Sequence, residues 1–168
     1  MSLGLKQAVY RLRPATPDDE DLLFRLFAES QQELRVSLGN DALWQSLLTL
    51  QYRGRKMTYA AAYAEAEDSI LCEADGTPVG RLLVERKPDC WQIVDVAVLA
   101  SHRGRGLATW ALESCRQQCG EAGAKLALQV KPENPARRLY ERLGFRVTGE
   151  DALGVEMVWR PGQSREAP

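Results

Sequence analysis

No stretch of the 168 residues approaches the ~20 consecutive apolar positions needed to cross a bilayer. The opening segment, Met1 to Val9, holds no long apolar run of the kind that marks a secretory leader. An excess of one charge sign is missing as well: 22 Lys and Arg face 23 Asp and Glu, giving net −1 and a pI near 5.9. That balance argues against a general binder of nucleic acid or anionic membrane. Histidine occurs once, and Cys72, Cys90, Cys115 and Cys119 contain no Cys-x-x-Cys pair. Neither a zinc ligand set nor a disulfide framework is spelled out, so no metal is expected. Cys115 and Cys119 share a helical stripe with Leu107 and Ala111, which reads as buried packing. Repeats and linker-like runs are absent too. The chain therefore reads as one cytoplasmic domain over residues 8–161, with a loose tail at 162–168.

What is present alternates between strand and helix. Tyr10 to Arg13 predicts a short strand, and Thr16-Pro17-Asp18-Asp19-Glu20 starts a helix with Leu22, Leu23, Leu26 and Phe27 on its apolar face. Asn40-Asp41 caps a second helix carrying Leu43, Trp44, Leu47, Leu48 and Leu50, with a break allowed at Gly54, running to about Ala66. Strands follow at Ser69 to Ala74 and Val79 to Glu85, joined by the hairpin signal Asp75-Gly76-Thr77-Pro78, and then at Trp91 to Leu99. A helix from Leu107 to Cys119, a strand from Lys125 to Val130, a short helix and two last strands complete an α/β order. Strand, helix and strand in the middle predict a parallel pair.

The richest segment is Val98-Leu99-Ala100-Ser101-His102-Arg103-Gly104-Arg105-Gly106-Leu107-Ala108. Gly104 and Gly106 let a strand turn sharply into a helix, whose free N–H groups and positive dipole end suit a phosphate. Arg103 and Arg105 add positive charge there. The ending Gly-Lys-Ser/Thr of a P-loop is missing, and so is the third glycine of a dinucleotide fingerprint. An ordinary glycine-rich turn is the bland alternative. Arg-x-x-Gly-x-Ala in this setting resembles the pyrophosphate loop of the GNAT N-acetyltransferase superfamily. Further on, Asn134-Pro135-Ala136-Arg137-Arg138-Leu139-Tyr140-Glu141-Arg142-Leu143-Gly144-Phe145 is similar to a second GNAT signature, Asn-x-x-Ala-x-x-Leu-Tyr-x-x-x-Gly-Phe. Together the two signatures span roughly the last half of the chain.

The resemblance implies a GNAT-like fold: a mixed central sheet of about seven strands, helices on both faces, and a splayed parallel pair forming an acetyl-CoA cleft. It implies acetyl transfer from acetyl-CoA to a primary amine of a small molecule or peptide, by a direct ternary complex, and it allows a homodimer. In this picture the amides of Arg103, Gly104, Arg105, Gly106, Leu107 and Ala108 hold the diphosphate. Val96 and Val98 pair with the pantetheine arm, with the Val98 amide as oxyanion donor. Asn134 bonds the arm near its sulfur, and Tyr140 protonates the leaving thiolate, a core tyrosine being the alternative.

Asp95 matches an acidic position near the acceptor amine in some GNAT proteins. On a regular strand it shares a face with Ile93 and Ala97, where a lone carboxylate is costly, so base, structural ion pair and water-mediated transfer all stay open. His102 reads as a solvated loop residue. The basic run Tyr52-Arg53-Gly54-Arg55-Lys56 reads as a solvated helix end, with attraction of an acidic acceptor as the other reading. The rival function keeps the fold without turnover: a catalytically silent acyl-CoA-binding regulatory or interaction module.

Overall fold

In a computed structural model of the chain, residues 10–163 are described. The reading of Met1 to Val9, and the expected tail beyond residue 163, lie outside them. The strands are β1 (Tyr10–Pro14), β2 (Glu67–Glu73), β3 (Pro78–Arg86), β4 (Cys90–Val98), β5 (Lys125–Val130), β6 (Arg146–Asp151) and β7 (Gly154–Trp159). The helices are α1 (Glu20–Ser30), α2 (Gln32–Leu38), α3 (Asp41–Ala62), α4 (Leu107–Glu121) and α5 (Ala136–Arg142). Seven strands form one sheet in the order β1-β2-β3-β4-β5-β7-β6, with β4 and β5 parallel and every other pair antiparallel.

The local signals account for most boundaries. Asn40 Oδ1 accepts the Leu43 N–H at 2.9 Å, capping α3 as its position predicts. Thr77 N–H donates to Asp75 Oδ1 at 2.8 Å, and Gly76 takes φ +90° in the β2–β3 hairpin. Before α1 the chain makes a 3₁₀ turn at Pro17–Asp19. There Asp19 is buried, accepts the Thr16 N–H at 2.8 Å and receives two Arg13 guanidinium bonds at 2.8 and 2.7 Å. That clamp ties β1 to the start of α1.

Two features depart from expectation. A third N-terminal helix, α2, lies between α1 and α3, and none of its residues is buried. Gly54 does not break α3, which runs 22 residues without interruption. Of its expected apolar positions, Trp44 and Leu48 are buried, whereas Leu43 and Leu50 face outward.

The main core packs α4 onto one sheet face through Leu82, Val84, Trp91, Ile93, Leu107, Leu112, Leu126 and Met157. Cys115 and Cys119 belong to it, as their stripe predicts. A smaller cluster of Phe27, Trp44, Leu48 and Tyr52 joins α1 to α3. Arg81 and Leu83, which alternate with Leu82 and Val84 along β3, point to that opposite face.

Candidate active site

The parallel pair is in register only from Cys90↔Lys125 to Ile93↔Leu128. Beyond that point β4 continues to Val98 and β5 to Val130 without pairing to each other, so the sheet opens into a wedge. On its other side β4 stays paired to β3. Leu99 N–H donates to the Val79 carbonyl at 2.9 Å, and the Ala97 carbonyl lies against Gly80. Strand alternation then turns the N–H and C=O of Val96 and Val98 toward the open edge. Arg103 Nε reaches the Val98 carbonyl there at 3.1 Å.

A register slip in the β3–β4 ladder changes what β4 offers. Leu83 faces Asp95 while Val84 faces Ile93, so Val94 is an extra residue. Asp95 and Ile93 therefore do not share a face, contrary to the regular-strand expectation. Ile93 enters the α4 core, whereas Asp95 points across the sheet to α3. There Arg55 Nη2 lies 3.1 Å and Arg81 Nη1 3.6 Å from the same oxygen, Oδ2. Arg81 also grips Asp68 with two bonds of 2.8 Å. Arg55 Nε donates to Tyr59 Oη at 2.8 Å, its guanidinium lying 4.9 Å from the Tyr59 ring centre and 5.4 Å from that of Phe27. Lys56 meets both oxygens of Glu20 at 2.9 and 3.0 Å. The basic run is thus the middle of α3 and not a helix end: Tyr52, Arg55 and Lys56 line the cleft, while Arg53 and Gly54 face away from it. Beside Glu20, the buried Tyr52 hydroxyl finds no hydrogen-bond partner of normal geometry. Burial, then the Glu20 carboxylate, pushes its ionisation up to about 12.

At the end of β4 the chain passes through a 3₁₀ turn, Ala100–His102, and enters α4 at Leu107. Gly104 and Gly106 take φ +76° and +82°, and a Cβ on either would meet nothing within 4 Å. Glycine is needed there for backbone angle, and the space above the turn is open. The first turn of α4 carries no acidic residue and no side-chain cap, leaving its amides free for an anion. Glu29 of α1 accepts the Ala100 N–H at 2.8 Å, and Tyr10 Oη donates to the Arg105 carbonyl at 3.1 Å. His102 is not solvated as expected: its ring hydrogen-bonds Ser101 at 2.7 Å and lies 3.5 Å from Glu73, which also pairs with Arg105.

Across the wedge, Asn134 Oδ1 accepts the Ala136 N–H at 2.9 Å and orients the start of α5. Tyr140 is buried, its ring 6.0 Å from that of Phe145. Burial, and next the charge of Asp95, pushes its hydroxyl up to about 12, so it stays protonated through neutral pH. Val96, Val98, Arg103, Asn134, Tyr140 and Asp95 all line one cleft of about 1110 Å³, together with Arg55, Tyr59, Asp68 and Arg81. Gly104, Arg105, Gly106, Leu107 and Ala108 are not in its lining and form the turn that follows. None of the four cysteines lines the cleft. Burial pushes Cys115 up to about 12 and Cys119 up to about 11.

A family model described as the Acetyltransferase (GNAT) family matches residues 27–145. The chain belongs to this family. It is an acetyltransferase, and its cosubstrate is acetyl-CoA. The PaiA N-acetyltransferase of Thermoplasma acidophilum, solved with coenzyme A, is similar with a TM-score of 0.69 at 15% identity, over 90% of this chain and 98% of that one. The ribosomal-protein-S18-alanine N-acetyltransferase of Escherichia coli gives 0.62 at 16%, over 94% and 97%. An acetyltransferase from Thermus thermophilus gives 0.61 at 23%, over 90% and 97%. At such identities the likeness is one of fold. No curated protein matches the chain in sequence. In this acetyltransferase no described helix is long and apolar enough to cross a membrane, and no group of three His, Cys, Asp or Glu among the described residues is arranged to hold a metal.

The side of the cleft facing α3 is what the sequence did not disclose. Arg81, Asp68 and Tyr59 belong to no motif, and their polar side chains at strand and helix positions look like ordinary surface residues. Asp68 and Arg81 sit on neighbouring strands, yet only the register of β2 against β3 brings them together.

Proposed function

We propose that this acetyltransferase moves the acetyl group of acetyl-CoA directly to a primary amine within a ternary complex, in the cytoplasm. Four unpaired cysteines suit a reducing compartment. The open edge of β4 at Val96 and Val98, facing Tyr140 across the wedge, carries the reading. The residues present fit the coenzyme: the amides from Arg103 to Ala108 form an anion seat, and the unpaired strand edge suits an amide-bearing arm. Asn134 holds that arm near its sulfur.

The acceptor nitrogen attacks the thioester carbon. A C–N bond forms, the carbonyl becomes an oxyanion stabilised by the Val98 N–H, and the C–S bond then breaks. Tyr140 donates its proton toward the departing sulfur. Asp95 accepts a hydrogen bond from the incoming amine through Oδ1, the oxygen that neither arginine uses, and its proton leaves by that carboxylate or by water. Beside Asp95 the nearest charges are paired, Glu20 with Lys56 and Asp68 with Arg81, so the pocket around Asp95 favours an amine of small net charge.

Acetyl-CoA at 100 times its Kd should stabilise the fold by about 2.7 kcal/mol through mass action. Free CoA should appear when a panel of amines, amino acids and peptides is added. The ionic grip of two arginines on Asp95 is the observation that favours a silent acyl-CoA-binding module, and that reading predicts stabilisation without CoA release. No stabilisation at millimolar acetyl-CoA refutes both.

A further inference from the structure

Helix α3 buries Trp44, Leu48 and Tyr52 and turns a second apolar seam outward. Leu43, Leu50 and Met57 are 52%, 68% and 74% exposed, each seven residues from the next. Adding Leu47, Gly54 and Ala61 gives steps that alternate four and three along Leu43, Leu47, Leu50, Gly54, Met57 and Ala61. That is the a/d pattern of a two-helix seam, on the side of α3 away from its own core. Flanking residues Ser46, Gln51, Thr58 and Ala60 carry no charge, and Arg53 is the one ion on this face. Depletion of charge around exposed Leu and Met marks an interface, not a solvated helix surface. Gly54 fits the same reading. It weakens an exposed helix interior by about 1 kcal/mol relative to alanine, and a Cβ there would meet nothing within 4 Å.

We propose that this face pairs with the same face of a second copy of the chain, the two α3 helices running antiparallel about a twofold axis. The seam is self-complementary in size only in that orientation. Leu50 then lies opposite Gly54 of the other copy, Leu43 opposite Ala61, and Leu47 opposite Met57, so each layer combines a large residue with one that accommodates it. A parallel pair would set Gly54 against Gly54 and leave a void. Two helices of 22 residues, about 33 Å long and 10–12 Å wide, cover a footprint of roughly 350 Å² on each copy. That small footprint places the pair among weak, reversible associations, so it is sought at micromolar and higher concentrations. Arg53 falls beside its own copy near the axis, so pairing tightens as NaCl screens the two charges.

Sedimentation equilibrium of the full chain from 1 to 200 μM tests the dimer, and CoA release is assayed alongside. The wild type should pass from monomer to dimer within that range. Leu50→Glu should weaken pairing by at least about 100-fold while activity per chain holds. Gly54→Leu should also give a monomer, because it fills the space that Leu50 of the other copy needs, although it raises helix propensity. Under oxidation, Leu50→Cys protein mixed with Gly54→Cys protein should cross-link, and neither should cross-link efficiently alone. A wild type monomeric at 200 μM, a dimer that survives Leu50→Glu, or cross-links of Leu50→Cys to itself would each overturn the proposal. So would a different protein held on this face at stoichiometry, released by Leu50→Glu.

Discussion

Replacing Tyr140 by phenylalanine removes one oxygen and leaves the ring against Phe145 in place. The hydroxyl ionises near 12, whereas a coenzyme thiol, taken to be like cysteine, ionises near 8.5. Full proton transfer from tyrosine to thiolate is then uphill by about 3.5 pH units, or about 5 kcal/mol at 1.36 kcal/mol each. Tyr140 therefore serves by donating a strong hydrogen bond to sulfur as charge develops, and it keeps its proton. The proton lost from the acceptor nitrogen leaves by Asp95 or water, and the thiolate is protonated from solvent. A general acid of this kind contributes about 10²-fold at the lower end of its range. Tyr140→Phe should lose on the order of 10²-fold in kcat, with the Kd for acetyl-CoA unchanged within about twofold. Steady-state CoA release and donor titration by calorimetry give the two numbers. Because neutral Tyr140 is already loaded at every pH below about 12, the variant and wild type should share one pH profile between 6 and 10. Wild-type kcat in the variant removes Tyr140 from the chemistry. Equal losses in kcat and donor affinity assign it to packing instead.

Asp19 is held below the usual carboxylate range, at about 2, by its Arg13 hydrogen bonds and the Thr16 amide. A depressed folded value stabilises above pH ~4 and fades as pH falls toward 2, so Asp19→Asn should cost about 2 kcal/mol at pH 7 in urea unfolding and almost nothing at pH 2. In the alkaline direction Tyr52, Tyr140, Cys115 and Cys119 all ionise later in the folded chain than in the unfolded one. Their stabilisation is complete below pH ~8.5 and is lost as pH rises toward 12, so a Tm constant from pH 8 to 11 would contradict their burial. Gly106→Ala puts a Cβ at φ +82°, at a cost of about 1–2 kcal/mol. Relief of that strain by local rearrangement should raise the KM for acetyl-CoA more than it lowers kcat, and an unchanged KM would show that the turn does not seat the donor.

The glycine turn before α4 and the start of α5 were legible because both rest on local chemistry. Gly104 and Gly106 are needed for their φ, Asn134 for its cap, and both signals sit within a dozen residues of what they serve. The side of the cleft facing α3 depends on long-range register. Arg55 reaches Asp95 from 40 positions away, and Asp68 meets Arg81 only through strand pairing, so neither contact has a sequence signature. Helix α2 escaped notice because Gln31 is no cap residue and only Leu34 and Leu38 of its seven residues pack against the smaller cluster, too short a stripe to read as a period. For Leu43 and Leu50, periodicity correctly signalled a helix with apolar positions, but α3 carries two such faces and composition does not say which one is inward.

The supernumerary Val94 separates two jobs that a straight ribbon would force together. Upstream of it, odd-numbered side chains of β4 plug the interior beneath α4. Downstream, the parity reverses, so Asp95 emerges among the guanidinium groups while Val96 and Val98 take over the greasy side. Pairing that residue regularly, with the chain unchanged, would send a carboxylate into hydrocarbon and expel two valines. A one-residue insertion between Asp95 and Val98 should accordingly be far worse tolerated than one in the hairpin at Asp75–Thr77, while deletion of Val94 itself should leave both faces of β4 as they are.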